Sequence, residues 1–270
     1  MIKNLLLTKI KPRAVIFCEK KFSTIDLDIN QYIKSIVCEK IPYCNKCENC
    51  KKIDNNSYRD LIIYDGWKQS IKKEDVAFIQ NQFLYAPFEK NGKKIYVLKN
   101  VDNSATEAMN SLLKFIEEPP KDTYAILTTR NISKIIPTIK SRCQIFYLNN
   151  NIKDFENKIN DFKLTQKQKD VVFKTYFSFN EFKQDYDTGV FINFFSFLNN
   201  LISKHDNLRT IKELSNEFVK LDYNEIKRVL QFASALLENK KKEIILMINE
   251  LKFYPTKILI FNKLWEMLNE

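Results

Sequence analysis

KKIYVLKNVDNSATEAMNSLLKFIEEPPKDTYAILTTRNISKIIPTIKSRCQIFYL, residues Lys93–Leu148, holds three short apolar runs: Ile95–Leu98, Tyr124–Thr129 and Gln144–Leu148. Each is short, apolar and bounded by polar or turn-forming residues, which fits a buried strand. Between the first two the period changes. Ser104 and Glu107 have capping-box spacing, Met109, Leu112, Leu113 and Ile116 form one apolar stripe, and Pro119-Pro120 stops the run. That pattern predicts a helix from about Ala105 to Ile116. Near-continuous apolar strands alternating with helices argue for a parallel sheet covered on both faces. Upstream, Ala14–Phe17 (AVIF) and Leu61–Tyr64 (LIIY) supply two more strands, so residues 1–148 read as one α/β domain.

Beyond Leu148 the character changes. Asn149-Asn150-Asn151 is a polar break, and Val190–Ile202, Leu208–Leu221, Asn224–Glu238, Lys242–Phe253 and Thr256–Leu268 then show helical spacing. Their many Phe, Leu and Ile residues read as the core of a helix bundle rather than as a cofactor site.

The chain has 270 residues, 44% hydrophobic and 29% charged, which is the balance of an ordinary globular protein. Its net charge of +11 is uneven: residues 1–150 carry 25 basic and 16 acidic side chains, residues 151–270 carry 19 and 17. A basic first half suggests nucleic acid or an acidic partner, although only six of the 44 basic residues are arginine and a lysine-rich bias explains as much. One histidine, His205, leaves little room for histidine catalysis or a histidine-rich metal site. No apolar run reaches the ~18 residues of a membrane span, and the start, MIKNLLLTKIKPR, is too short for a signal peptide. The expected location is cytoplasmic, with no membrane partner.

Glycine is scarce: Gly66, Gly92 and Gly189 are the only three. A phosphate-cradling loop G-x-x-x-x-G-K-[ST] or a dinucleotide fingerprint G-x-G-x-x-G needs two or three glycines close together, so neither exists in standard form. Cysteine is clustered instead. Cys38, Cys44, Cys47 and Cys50 spell C-x5-C-x2-C-x2-C in CEKIPYCNKCENC. Clustered thiols in a reducing compartment are metal ligands far more often than disulfides, and four thiolates close a tetrahedral zinc shell with no open catalytic position. The expected cofactor is therefore structural Zn²⁺. Cys18, after AVIF, reads as a core residue.

The stretch from about residue 60 to 148 resembles the bacterial clamp-loader subunits of the AAA+ class, and among them the delta-prime type of DNA polymerase III. The matching pieces are Asn110–Pro120 (NSLLKFIEEPP), the strand Tyr124–Thr129 with Thr128-Thr129 in the sensor position, and Pro137–Cys143 (PTIKSRC). The upstream SIKKEDVAFIQ and APFEKNGKKIYVL match too, as does a four-cysteine zinc module between the first helix and the second strand. The first cysteine spacing is shorter than is usual in these subunits. The resemblance implies a degenerate AAA+ α/β domain over 1–148 with its four-cysteine module at about 38–50. It also implies an all-α lid domain over 149–189 and a helical collar for oligomerisation over 190–270.

The departures from that family's pattern bear on the role. Laying the phosphate-loop pattern on the segment after the first strand places Glu19 and Thr24 at its glycines, Ile25 at its lysine and Asp26 at its Ser/Thr. The strand Ile95–Leu98 is followed by Lys99, Asn100, Val101 and Asp102 rather than by a carboxylate pair for metal and water. No ATP of its own is expected for this chain. What remains is Arg142 in Ser141-Arg142-Cys143. In the family, this arginine reaches the neighbour's ATP site as a finger in trans; the bland alternative is a surface arginine in an intrasubunit ion pair. The implied role is a non-catalytic subunit of the holoenzyme. It assembles with clamp-loader ATPase subunits and a delta-type subunit, and meets the sliding clamp and primer-template DNA through the complex. Two other readings are a zinc-containing DNA-binding protein of replication or repair, and a degenerate ATPase that still binds nucleotide.

Overall fold

The structure, a computed structural model, describes residues 2–67, 69–203 and 207–269; His205 lies outside them. The chain divides into two compact units, residues 1–151 and 152–270.

The first unit is built on five parallel strands: β1 (Ala14–Cys18), β2 (Leu61–Asp65), β3 (Lys94–Lys99), β4 (Thr123–Thr129) and β5 (Gln144–Tyr147). Their order is β2-β3-β4-β1-β5. The helices are α1 (Ile2–Leu7), α2 (Ile25–Val37), α3 (Glu48–Asp54), α4 (Lys73–Leu84), α5 (Thr106–Glu117) and α6 (Pro137–Lys140). Because strand side chains alternate between faces, β1 sends Ala14, Ile16 and Cys18 one way and Val15 and Phe17 the other. The first set joins Tyr96, Leu98 and Leu127 against Val76 and Ile79 of α4 and Ala108, Met109 and Leu112 of α5. The second joins Val97 and Ile126 against Leu5, Ile29, Tyr32, Ile33 and Ile53 of α1, α2 and α3. Both faces of the central strands β1, β3 and β4 are covered, which is why these strands read as unbroken apolar runs.

Two buried lysines terminate helices in this unit. Lys11 donates to the carbonyls of Leu5 and Leu6 at 2.9 and 2.7 Å, and Lys94 donates to those of Phe83, at 2.8 Å, and Tyr85. An ammonium at a helix C-terminus satisfies the last carbonyls and opposes the dipole. Part of the positive charge in the first half is thus structural.

The helix after β3 starts later than its sequence suggests. Its N-cap is Ala105, not Ser104, and the expected Ser104–Glu107 capping box does not form. A 3₁₀ turn over Val101–Asn103 takes Ser104 instead, its N–H bonding to Val101 at 3.0 Å and its buried hydroxyl finding no partner. On the apolar stripe Leu113 is only partly buried, while Ala108 and Phe115 are buried.

The second unit is all helix: α7 (Ile152–Asn160), α8 (Gln166–Thr175), α9 (Phe179–Asp187), α10 (Val190–Ser203), α11 (Leu208–Lys220), α12 (Tyr223–Leu236), α13 (Lys241–Glu250) and α14 (Lys257–Asn269). Asp222 caps α12 by accepting from the N–H groups of Asn224 and Glu225, and Glu225 returns a bond to the Asp222 N–H. Tyr176, Phe182, Phe191 and Phe232 are fully buried and meet at ring separations of 5.4 to 6.1 Å, an aromatic centre for α9, α10 and α12. No described helix is long and apolar enough to cross a membrane.

Candidate functional site

In open α/β sheets, ligands bind outside the carboxyl ends of the strands. At that edge, the segment Glu19–Thr24 leads from β1 into α2. The positive end of α2 is the natural phosphate seat, and the chain fills it with its own carboxylates, Asp26 and Asp28, in the first turn. Thr24 donates its hydroxyl to Asp28 at 3.2 Å. Asp26, at the Ser/Thr position of the phosphate-loop pattern, forms an ion pair with Lys99 at the end of β3. Magnesium would bridge a hydroxyl and a carboxylate from those two segments. Here the bridge is an internal Asp–Lys pair.

A second pair lies beside it. Glu19 is buried, its side chain 3% exposed, and its carboxylate faces Arg130 at 3.5 Å. Burial pushes the Glu19 carboxyl above its usual value despite that guanidinium. Arg130 also covers the Trp67 ring at 4.4 Å. Nothing in the sequence joins Arg130 to Glu19; its only signal is an arginine directly after the apolar run Tyr124–Thr129. Thr129, in the sensor position, turns inward and donates to Asp102 at 3.0 Å, while Thr128 accepts from the Asn100 N–H at 3.0 Å. Both threonines are fully buried.

Asn100 takes a left-handed conformation (φ 53°) and donates to Asp65 at 3.0 Å. Gly66 packs so closely on this turn that a Cβ would sit 2.6 Å from the Asn100 carbonyl, which explains one of the three glycines. A shallow cleft of about 350 Å³ opens at these strand ends, lined by Ile63, Tyr64, Asp65, Gln69, Asp75 and Lys99. Two carboxylates against one lysine already paired with Asp26 make it a poor receptor for a triphosphate.

Arg142 lies just past α6. Its guanidinium donates to the Thr138 carbonyl at 3.0 Å and to the Ser141 hydroxyl at 3.3 Å, and pairs with Glu117 at 2.5 Å. The side chain is 39% exposed, so the group lies at the surface. Cys143 beside it is buried in the sheet core, as is Cys18. Burial raises both thiols, to about 12 and about 11.

The other four sulfurs converge. Cys38 follows α2, Cys44 and Cys47 form a turn, and Cys50 lies on α3. Their sulfurs all lie within 4.8 Å of one another, with Cys38 3.6 Å from Cys44 and 3.9 Å from Cys47. A tetrahedron with Zn–S bonds of about 2.3 Å has an edge of about 3.8 Å. The donor set and spacing therefore fit a four-coordinate metal ion. The Cys47 N–H donates to the Cys44 sulfur at 3.3 Å, and backbone N–H groups of Lys46 and Cys47 pull the Cys44 thiol down to about 6. Removing a bound metal should expose four reactive thiols per chain, while Cys18 and Cys143 stay unreactive until the fold opens. Thiol titration before and after chelation checks this; six equally reactive thiols, or two, would contradict it.

A parallel sheet in the order β2-β3-β4-β1-β5, with a modified phosphate loop after β1 and a helical second unit, defines an AAA+-type protein. The model of the family described as DNA polymerase III, delta subunit, matches residues 1–152, and the chain belongs to that family of clamp-loader proteins. A Mycoplasma pneumoniae relative, an MG007 homologue, is 29% identical over 254 residues, 93% of this chain and 96% of that protein. The DNA polymerase III subunit delta' of Bacillus subtilis is 41% identical over 101 residues, 37% of this chain but only 30% of its own length. Among solved structures, a DNA polymerase III gamma subunit-related protein of Thermotoga maritima superposes with a TM-score of 0.56. It covers 99% of this chain and 97% of its own at 15% identity, a likeness of fold.

Proposed function

We propose that this chain is a delta-prime-like, non-catalytic subunit of the clamp loader. It assembles with ATPase subunits and a delta-type subunit and presents Arg142 to the ATP site of a neighbour. The pair of internal ion bridges carries this reading: Asp26–Lys99 and Glu19–Arg130 stand where magnesium and phosphates would be handled. A nucleotide would have to break both and face the carboxylates they release. In the same reading residues 149–189 serve as a lid and 190–270 as the collar that holds the complex. The cysteine cluster carries structural zinc, and the sliding clamp and primer-template DNA are met through the assembly.

Titration of the isolated chain with a fluorescent ATP analogue tests the non-catalytic part. No saturable binding in the micromolar range is expected with or without magnesium, and no phosphate release. Micromolar affinity would overturn it in favour of a nucleotide-binding ATPase. Tight DNA binding by the isolated chain at physiological salt would favour a stand-alone zinc-containing DNA-binding protein instead. The charge bias is weak support for that alternative. Lys11 and Lys94 are spent on helix ends, and Lys52, Lys93 and Lys99 on Glu48 and Glu89, Asp122 and Asp26.

A further inference from the structure

Lys34 is a lysine on α2 whose side chain is only 9% exposed. Lysine is rarely buried so deeply unless its ammonium is fully engaged. Its Nζ bonds the Asp54 carboxylate at 2.6 Å and the Asn45 amide oxygen at 2.9 Å, and lies 5.8 Å from the centre of the Tyr43 ring. Its backbone carbonyl also accepts the Cys38 N–H at 2.9 Å.

These contacts have one thing in common. Asn45 sits inside the turn between Cys44 and Cys47, in a left-handed conformation with φ 56°. Asp54 lies on α3 one turn beyond Cys50, and Cys38 directly follows α2. The cysteine cluster is assembled from three separate segments, and Lys34 bonds to each of them. Its main chain fixes the Cys38 segment, its ammonium fixes the Cys44–Cys47 turn through Asn45, and the same ammonium fixes α3 through Asp54.

We infer that Lys34 is the positioning residue of the four-cysteine module: its side chain ties the Cys44–Cys47 turn and α3 to the end of α2, which leads into Cys38, and so pre-assembles the ligand-bearing segments for a metal ion. This rests on the reading of the cysteines as a metal site. Bringing four thiolates together before metal arrives is opposed by mutual repulsion and by the ordering of the loop, which has no apolar core of its own. A buried ammonium that crosslinks the segments offsets both. Groups that orient metal ligands from behind typically affect affinity by about 10–100-fold when removed.

The test uses the full chain, with zinc affinity measured by competition with a chromophoric chelator and cobalt used as the spectroscopic probe. Lys34→Met keeps the apolar stem and removes the ammonium; it should bind zinc about 10–100-fold more weakly. Cobalt-loaded Lys34→Met should keep a thiolate charge-transfer band, because the four ligands remain. Asn45→Gly tolerates the positive φ and removes only the acceptor, so it should weaken zinc in the same direction while leaving the Lys34–Asp54 pair intact. The increase in melting temperature on adding zinc should shrink in both variants, a change that a general packing defect would not produce. Wild-type affinity in Lys34→Met, or in Asn45→Gly, overturns the inference. Failure of the wild-type chain to take up zinc or give a cobalt–thiolate band instead overturns the metal reading beneath it.

Discussion

Changing Arg142 to alanine should lower ATP hydrolysis at the neighbouring site by at least about a hundredfold, since fingers supplied in trans to GTPases are worth about 10³–10⁵. The measurement needs an assembly in which only the site facing this chain is competent, so that other sites do not mask the loss. Assembly itself should survive, because Arg142 is half-exposed and its removal leaves no buried charge. Arg142→Lys should rescue little: an ammonium keeps the charge but not the planar fork. The pairing with Glu117 does not forbid this role. Both side chains are about 40% exposed, at 39% and 42%. Such pairs contribute ~0–1 kcal/mol, well below what a γ-phosphate returns to a guanidinium. Hydrolysis unchanged by Arg142→Ala would leave Arg142 as nothing more than the Glu117 ion pair.

How much of this was legible in the sequence depends on the range of the interaction. The central strands of the sheet are readable because burial on both faces leaves a local mark, an unbroken apolar run; AVIF and IYVL differ from the observed β1 and β3 by a residue or two. The five C-terminal helices were readable from a 3.6-residue stripe, again local. The cysteine cluster is legible because all four cysteines fall within thirteen residues, from Cys38 to Cys50. What was missed is long-range. Glu19 and Arg130 are more than a hundred residues apart, and no spacing rule joins them. Lys34 carries no local signal of its role, because the groups that engage its ammonium, Asn45 and Asp54, come from later segments of the chain. Ser104 shows the opposite error: a correct local motif was overridden when the preceding 3₁₀ turn claimed its backbone. The glycine shortage gained meaning from the structure, where the absent phosphate loop is matched by carboxylates seated at the head of α2.

The second large effect concerns stability. Arg228 on α12 is 12% exposed and bonds Asp185 through Nε and Nη2 at 3.0 and 2.9 Å, and Glu181 through Nη1 at 3.2 Å. Its guanidinium also stacks on Tyr176 at 4.3 Å, and the Tyr176 hydroxyl donates to the same Asp185 carboxylate at 2.9 Å. One cation therefore pairs with two acids beside the aromatic centre of the helical unit. Removing one partner of a buried pair typically costs about 3–5 kcal/mol, because the remaining charge stays desolvated. Arg228→Met leaves two such carboxylates and should fall at the upper end of that range. Trp265 on α14 reports the helical unit and Trp67 the sheet unit. Denaturant melts in a Trp67→Phe background therefore follow the second unit, and melts in a Trp265→Phe background the first. The midpoint of the helical unit should drop steeply. Adding Glu181→Leu and Asp185→Leu should restore part of the loss by discharging the site. Full recovery is not expected. Glu181 also accepts the Phe177 N–H at 3.1 Å, and Asp185 holds the Tyr176 hydroxyl, so both donors would be left without their acceptors at about 1–3 kcal/mol each. A loss below about 1 kcal/mol for Arg228→Met would show that water reaches the two acids, and that the aromatic centre alone holds the helices together.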